Sequence, residues 1–305
     1  MNPGRDAEEP LLHVQHADGS DAGDAAECKL VEERHDAAAE GRRVLGLALP
    51  ISTSEALSFG AYLITTAQVG RIGSAQLSAI TLARSTFHIT GLSLVVGLAS
   101  GVSTLSGQAF GSCHFGLAGT ITQRAILINL IACCAIIAGW TQLEPLLLLG
   151  QDPELSHLAS EYIMSISPAL VMEAVYFCLK HHLQAQGVVG PLTAIAAVQT
   201  LVTPIANHVF INVLDMGMPG VAVAYVVVTA VTLMGVITAV VWCDVAWRKR
   251  EERTWPAWSQ RSLTGWGQYL GVALPSTAMI CADWWCFEAI ILAIILVRVH
   301  VCVCV

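Results

Sequence analysis

Charged residues are scarce in this chain of 305 residues. Asp, Glu, Lys and Arg make up 12% of it, whereas hydrophobic residues make up 55% and the mean hydropathy is +0.64. Soluble domains carry about 25% charged residues, so the composition indicates a polytopic membrane protein. The net charge of −8 does not oppose this, because almost half of the acids lie in the first 43 residues. The acidity belongs to a tail, and we expect no nucleic-acid partner.

The sequence also lacks the patterns of a metal site or an enzyme. No cysteine pair with zinc-ligand spacing adjoins histidines, and the ten histidines show no ligand spacing of their own. Most cysteines fall within apolar segments, where they behave as small apolar residues. No polar loop holds a nucleophile together with a base. We therefore expect no metal, no cofactor and no enzymatic activity.

The first 43 residues lack an apolar run, so we expect no cleavable signal peptide among them. Their composition predicts a disordered acidic tail over 1–43. Seven later runs are long enough to cross a hydrocarbon core of about 30 Å. They lie near 44–67, 79–103, 120–149, 160–180, 188–214, 219–243 and 268–297.

These runs predict an all-α membrane protein in which four further segments follow the acidic tail. A six-helix lobe covers 44–243, a charged linker covers 244–265, and a seventh helix covers 266–297. The last segment, 298–305, reads RVHVCVCV, and this alternation is typical of a translated dinucleotide repeat. We interpret it as an aberrant low-complexity tail.

Positive charge is concentrated on one side of the predicted membrane. Cytoplasmic segments are enriched in Lys and Arg, so we expect a cytoplasmic N-terminus, and a receptor with an external N-terminus is disfavoured. The opposite loops offer little beyond Arg71. The cations assigned to the cytoplasmic side are Lys29, Arg34, Arg42, Arg43, Arg248, Lys249, Arg250, Arg253 and Arg261, with Lys180 in the loop after the fourth span and Arg124 at a helix start.

A short repeat links the first and seventh spans. LGLALPIS at 45–52 matches LGVALPST at 270–277, with Pro50 equivalent to Pro275. Six helices followed by a copy of the first are typical of a transporter with parallel duplicated halves. By this reading the chain stops after the first helix of its second half. A non-transporting fragment, or an artefact of the gene model, is then the alternative to a transporter.

Two acids interrupt the seventh apolar run. Asp283 and Glu288 would each cost about 2.5–3.5 kcal/mol at the bilayer centre, so they are expected to face protein or water and to handle ions, protons or substrate. Five residues apart, they lie about 140° apart on a helix. We expect one to face a cavity and the other to point between helices. Between them, Trp284 and Trp285 either offer aromatic faces to a cation or fill the core or lipid interface.

Other polar residues within the spans are further candidates. Glu55 and Glu173 either line the pathway or are satisfied within helix packing. Gln108 either lines the cavity or caps a loop. Arg84 is expected to pair with an acid or to extend to the membrane interface. Small residues in the segment 87–111 are expected to permit close helix approach.

Several segments resemble the multidrug and toxic compound extrusion (MATE) transporters, particularly plant and algal members. Family members carry two acids that flank a Trp-Trp pair, and here Asp283 stands in place of the usual Glu. Ser103 occupies a position where the family usually has an acid. The similar segments are FHITGLSLVVGLASGVSTLSGQAFG at 87–111, Gln123-Arg124, LEPLLLLGQDPELSHLASEY at 143–162, LQAQGVVGPL at 183–192, GMPGVAVAY at 217–225 and ADWWCFE at 282–288.

The resemblance implies the first six-helix lobe of a twelve-helix, two-lobe transporter, followed by the opening helix of the second lobe. It implies exchange of a proton or Na⁺, bound by Glu288 and Asp283, for a small organic cation, xenobiotic or secondary metabolite. The membrane would be vacuolar or plasma. The candidate substrate contacts are Trp284, Trp285, Gln108 and Glu55.

Overall fold

The computed structural model describes residues 37–144, 152–246, 253–256 and 260–303, and within these ranges the regular elements are all helices. Seven of these helices are long and apolar enough to cross a membrane. This confirms the predicted all-α fold with seven spans. The helices are α1 Ala37–Val69, α2 Ser74–Gly111, α3 Phe115–Trp140, α4 Pro153–Ala185, α5 Gly190–Val213, α6 Gly217–Ala246 and α7 Trp266–Val303. A short 3₁₀ turn, Gln260–Leu263, precedes α7.

Some helix ends differ from the predicted spans. The first helix begins at Ala37, inside the segment predicted as a disordered tail, and the rest of that tail lies outside the described residues. The third ends at Trp140 rather than near 149, and 145–151 also lie outside them. The fourth continues to Ala185, and the last is described through Val303, beyond the predicted boundary at 297. Hydropathy marks the part of a helix that fits the bilayer, whereas helix propensity carries the backbone further.

Local signals set several of these ends. The carboxylate of Asp152 accepts a hydrogen bond from the Glu154 amide at 3.0 Å, and Pro153 occupies the first turn, so α4 begins with an N-cap and a helix-compatible proline. Gly187 follows α4 with φ of +73°, and Gly265 precedes α7 with the same φ. Glycine adopts this left-handed conformation at little cost.

Six helices pack in series, and α3 packs against two of them. In order of contact the series runs α1, α5, α6, α4, α2 and α7, while α3 packs on α2 and α4. The short connections reverse the chain direction from helix to helix. We call the end of the bundle that carries the segment between α6 and α7 the linker end. The two terminal members of the series, α1 and α7, leave a concave space between them.

Small residues bring α2 and α7 together. A Cβ added to Gly97 would lie 2.6 Å from the Cα of Thr277, and one added to Gly101 would lie 3.0 Å from the Cβ of Ala273. The two helices therefore meet closely where side chains are absent, as the small residues of segment 87–111 predict. The Tyr269 hydroxyl also donates to the carbonyl of Leu98 at 2.6 Å. This joint fixes the position of α7.

A polar seam holds α1 against α5. The amide of Asn207 donates to Thr65 Oγ1 at 3.1 Å and to Gln68 Oε1 at 2.9 Å. Gln68 in turn donates to the carbonyl of Pro204 at 3.2 Å. Interhelical hydrogen bonds of this kind stabilise helix pairs in lipid, so the seam fixes α1 in the bundle.

The linker docks on the linker end through buried hydrogen bonds. The amide nitrogen of Thr254 donates to Asp244 Oδ1 at 2.6 Å. Ser262 Oγ donates to Gln123 Oε1 at 2.7 Å, and Gln123 Nε2 donates to the carbonyl of Pro256 at 2.9 Å. The described parts of the linker are therefore attached to α3 and α6.

Candidate functional site

A cavity of about 690 Å³ occupies the concave space between α1 and α7. Six helices contribute to its lining, and α3 does not. Four acids and one arginine lie on its walls together with several aromatic rings. The acids are Glu55, Glu173, Asp283 and Glu288.

Both acids of α7 line this cavity, with Asp283 exposed and Glu288 half-buried. The expectation that one of them points between helices was therefore wrong. The series of helices ends at α7, which packs mainly on α2. More than a third of its circumference thus faces the cavity, enough to include two residues about 140° apart.

The two tryptophans of α7, Trp284 and Trp285, have different surroundings. Trp284 lines the cavity, with its ring centroid 6.1 Å from that of His88. Trp285 lies outside the lining, and its indole N–H donates to the carbonyl of Ile89 at 3.1 Å. Trp284 is therefore placed to contact a ligand, whereas Trp285 ties α7 to α2.

Glu55 lines the cavity from α1, and its carboxylate is already paired. Lys180 Nζ lies 2.5 Å from Glu55 Oε1. The sequence placed Lys180 in a loop, whereas the structure places it within α4 and buried. The charge of Glu55 is thus compensated within the protein, unlike an acid that lacks a basic partner.

Glu173 enters the cavity lining from α4 and accepts a hydrogen bond from the Tyr225 hydroxyl. Its second oxygen, Oε2, is buried and has no hydrogen-bond partner among the described residues. A buried oxygen without a donor is an unmet acceptor. Glu173 therefore has room for one further interaction, with a proton, a cation or a donor group.

Arg84 projects into the same cavity from α2. Its guanidinium carbon lies 4.9 Å from the ring centroid of Tyr62 and 5.2 Å from that of Tyr225. The sequence predicted an ion pair or an extension to the interface, and the structure instead places Arg84 between two aromatic rings. Sequence reasoning missed both tyrosines, whose one signal was a polar hydroxyl within an apolar run.

Gln108 does not line the cavity. Its side chain is exposed near the linker end of α2. Its carbonyl accepts a hydrogen bond from Ser112 Oγ at 2.9 Å. This environment is that of a helix end rather than of a ligand-binding wall.

A π-helical turn, His88–Leu92, interrupts α2 beside the cavity. His88, Ile89 and Leu92 all belong to the cavity lining. Such turns frequently occur at functional sites. No sequence pattern marked this turn. Within the described ranges, no group of three or more His, Cys, Asp or Glu side chains is placed to hold a metal ion.

Comparison with known proteins agrees with this architecture. The MatE family model matches residues 50–209, slightly more than half of the 305 residues. The chain is 33% identical over 247 residues to multidrug and toxin extrusion protein 1 of Danio rerio. The aligned region covers 80% of this chain and 41% of that protein. The chain is 34% identical over 252 residues to the protein of the same name from Rattus norvegicus, covering 82% and 43%.

The fold superposes on the crystal structure of the eukaryotic MATE transporter AtDTX14 with a TM-score of 0.76 and 25% identity, over 83% of this chain and 56% of that one. The chain thus spans about two-fifths of the length of the curated relatives described above. The family match, the relatives and the fold agree, and the chain belongs to the multidrug and toxic compound extrusion (MATE) family.

Proposed function

We propose that this chain acts in secondary active efflux, exchanging protons or Na⁺ for organic cations, xenobiotics or secondary metabolites. The observation that carries the proposal is one cavity that combines two acids of α7 with aromatic faces. The lining comes from helices that are apolar enough to span a bilayer. Acids at such a position are typical of ion and substrate pathways.

Glu288 and Asp283 are the proposed coupling acids. An ionised carboxylate neutralises a bound cation, and the same carboxylate loses that charge when it takes up a proton. Proton and organic cation therefore compete for these groups, and this competition is the basis of exchange. Glu173 is a third acid of the cavity that can take part, because its Oε2 has no partner among the described residues.

The aromatic rings are the proposed substrate surface. Aromatic faces attract cations through their quadrupole, most strongly when water is excluded. Trp284 and Tyr62 both contribute to the lining. Glu55 adds a carboxylate whose charge is shared with Lys180. Trp285 and Gln108 would act from outside the lining, Trp285 through the position of α7.

The proposed orientation places the N-terminus and the linker end in the cytoplasm, with the protein in the vacuolar or the plasma membrane. Arg42 and Arg253 are both exposed at that end. Arg71 is exposed at the opposite end. This distribution supports the proposal through the enrichment of cations on the cytoplasmic side.

Proteoliposomes containing the full 305-residue chain test the exchange. With an acidic lumen we expect accumulation of radiolabelled tetraethylammonium, because outward proton movement drives cation entry. Glu288→Gln should lower this uptake by about tenfold or more, since one coupling acid is lost. Glu161→Gln is the matched control, because that acid is exposed on α4 and outside the cavity lining. Undiminished gradient-driven uptake by Glu288→Gln would contradict the assignment, and a Na⁺ gradient in place of the pH gradient distinguishes the two ions.

A binding protein without transport is the second candidate, because the acids and aromatic rings of the same cavity would hold a cation whether or not it then crosses the membrane. The same preparation separates the two functions. Saturable tetraethylammonium binding that Glu288→Gln abolishes, without gradient-driven uptake, would assign binding alone.

A further inference from the structure

Arg84 is a cationic residue in a cavity whose other charged lining residues are acids. Its guanidinium lies between the rings of Tyr62 and Tyr225, at 4.9 and 5.2 Å from their centroids. The side chain is half-buried and contributes to the cavity wall. Cation–π contacts orient a guanidinium but leave its N–H groups in the plane available for hydrogen bonds.

None of the described acids of the cavity forms a direct ion pair with this arginine, although Glu173 lies close enough to interact with its charge. Glu55 forms its ion pair with Lys180, and Glu173 accepts from the hydroxyl of Tyr225. Among the described residues, no carboxylate forms an ion pair with Arg84, and no hydrogen-bond acceptor is found for its guanidinium. A fixed cation at membrane depth is costly unless something in the cavity satisfies it.

The chemistry of the missing partner follows from the donor. A guanidinium presents a planar fork that matches a carboxylate through two parallel hydrogen bonds. Contact with two aromatic rings restricts the motion of the guanidinium, so less conformational entropy is lost on binding. An anionic group of a ligand would satisfy these donors more strongly than water, because hydrogen bonds between charged groups are the stronger ones.

The cavity is therefore bipolar, with Arg84 on α2 and the acids Asp283 and Glu288 on α7. We propose that Arg84 binds the carboxylate of an amphoteric substrate whose cationic group lies at the acids of α7. The inference rests on the proposed cation-binding function and adds a substrate class to it. Simple organic cations would use the α7 wall alone, and zwitterions would use both walls.

A pair of ligands that differ in one group tests this. The probes are N-benzyl-N,N-dimethylglycine, which carries a quaternary ammonium and a carboxylate, and its methyl ester, which carries the ammonium alone. Binding is measured on the full chain in lipid nanodiscs. Wild-type protein should bind the carboxylate form at least as tightly as the ester, although the other charged groups of the cavity lining are acids.

Arg84→Gln should weaken binding of the carboxylate form by about 10- to 100-fold, the loss expected for a hydrogen bond between charged groups. Ester binding should change by less than about threefold, because the ester has no anion to lose. Arg71→Gln is the matched control, an exposed arginine outside the cavity lining, and should leave both affinities unchanged.

Each contrary result has a distinct meaning. An equal loss for both ligands in Arg84→Gln would show that Arg84 acts on the fold and would overturn the inference. If that variant does not fold, the wild-type ratio decides, since a tenfold preference for the ester would also overturn it. If the wild-type protein binds the ester and Arg84→Gln leaves the affinity for the carboxylate form unchanged, the inference is overturned but the proposed function is not. Protein that binds neither probe overturns the proposed function as well.

Discussion

At the scale of single residues, the Glu55–Lys180 pair shows how the bundle keeps a lysine within a membrane span. The side chain of Lys180 is 10% exposed, whereas that of Glu55 is 58% exposed and faces the cavity. The lysine depends on its partner, because it is nearly excluded from water. The glutamate can reach water or a ligand as well.

This asymmetry predicts the effect of breaking the pair. Glu55→Gln should lower the free energy of unfolding by about 1–3 kcal/mol, because a buried ammonium loses its counter-charge while the exposed partner limits the effect. Lys180→Met should recover part of that loss when added to Glu55→Gln, since no buried charge is then left unpaired. Thermal unfolding of the single and double variants in one detergent measures the coupling, and strictly additive effects would show that the pair contributes nothing.

At the scale of elements, the joint between α2 and α7 sets where the proposed coupling acids lie. Gly97→Ala should lower the free energy of unfolding by about 1–3 kcal/mol, because the added Cβ would meet the backbone of Thr277. Gly60→Ala is the matched control. Nothing lies within 4 Å of its added Cβ, and alanine favours a helix. Thermal unfolding of the two variants tests this, and equal stability would mean that the joint relaxes without cost.

The helices themselves could be predicted from the sequence because hydropathy is a local property. Asp283 and Glu288 stood out for the same reason, since each breaks an apolar run. The partners of polar side chains could not be predicted. Lys180 follows an apolar run and so looked like a loop residue, while its partner Glu55 is 125 positions away in the chain. Contacts of this kind depend on the order of helix packing, which hydropathy does not specify.

Arg84 illustrates the same limit at the site. Its two aromatic neighbours come from α1 and α6, which are not adjacent to α2 in the series of helices. The concave shape of the bundle brings them together across the cavity. Neither Tyr62 nor Tyr225 belongs to a pattern that marks a binding residue. The contacts of Arg84 with these two rings are therefore visible only in the tertiary structure.

At the scale of the whole molecule, the orientation in the membrane is open to a direct test. In heterologous cells that deliver the protein to their surface, an epitope inserted after Arg71 should bind antibody in intact cells. An epitope after Arg250, in the linker, should bind only after permeabilisation, because cationic segments remain cytoplasmic. A tag on Met1 should behave like the linker epitope, and antibody binding to it on intact cells would reverse the proposed topology.

The docked linker has a mechanical consequence for α7. Ser262 is held by Gln123, and Gly265, with its positive φ, turns the backbone just before the helix begins. Because α7 is also bound to α2 through Tyr269 and Trp285, a tilt of α7 about its base would carry α2 with it. Asp283 lies roughly 27 Å along the helix from Gly265, so a swing of about 10° would carry its carboxylate about 5 Å. A small rotation of this pair of helices would therefore displace the charge of Asp283 by several ångströms at the cavity wall.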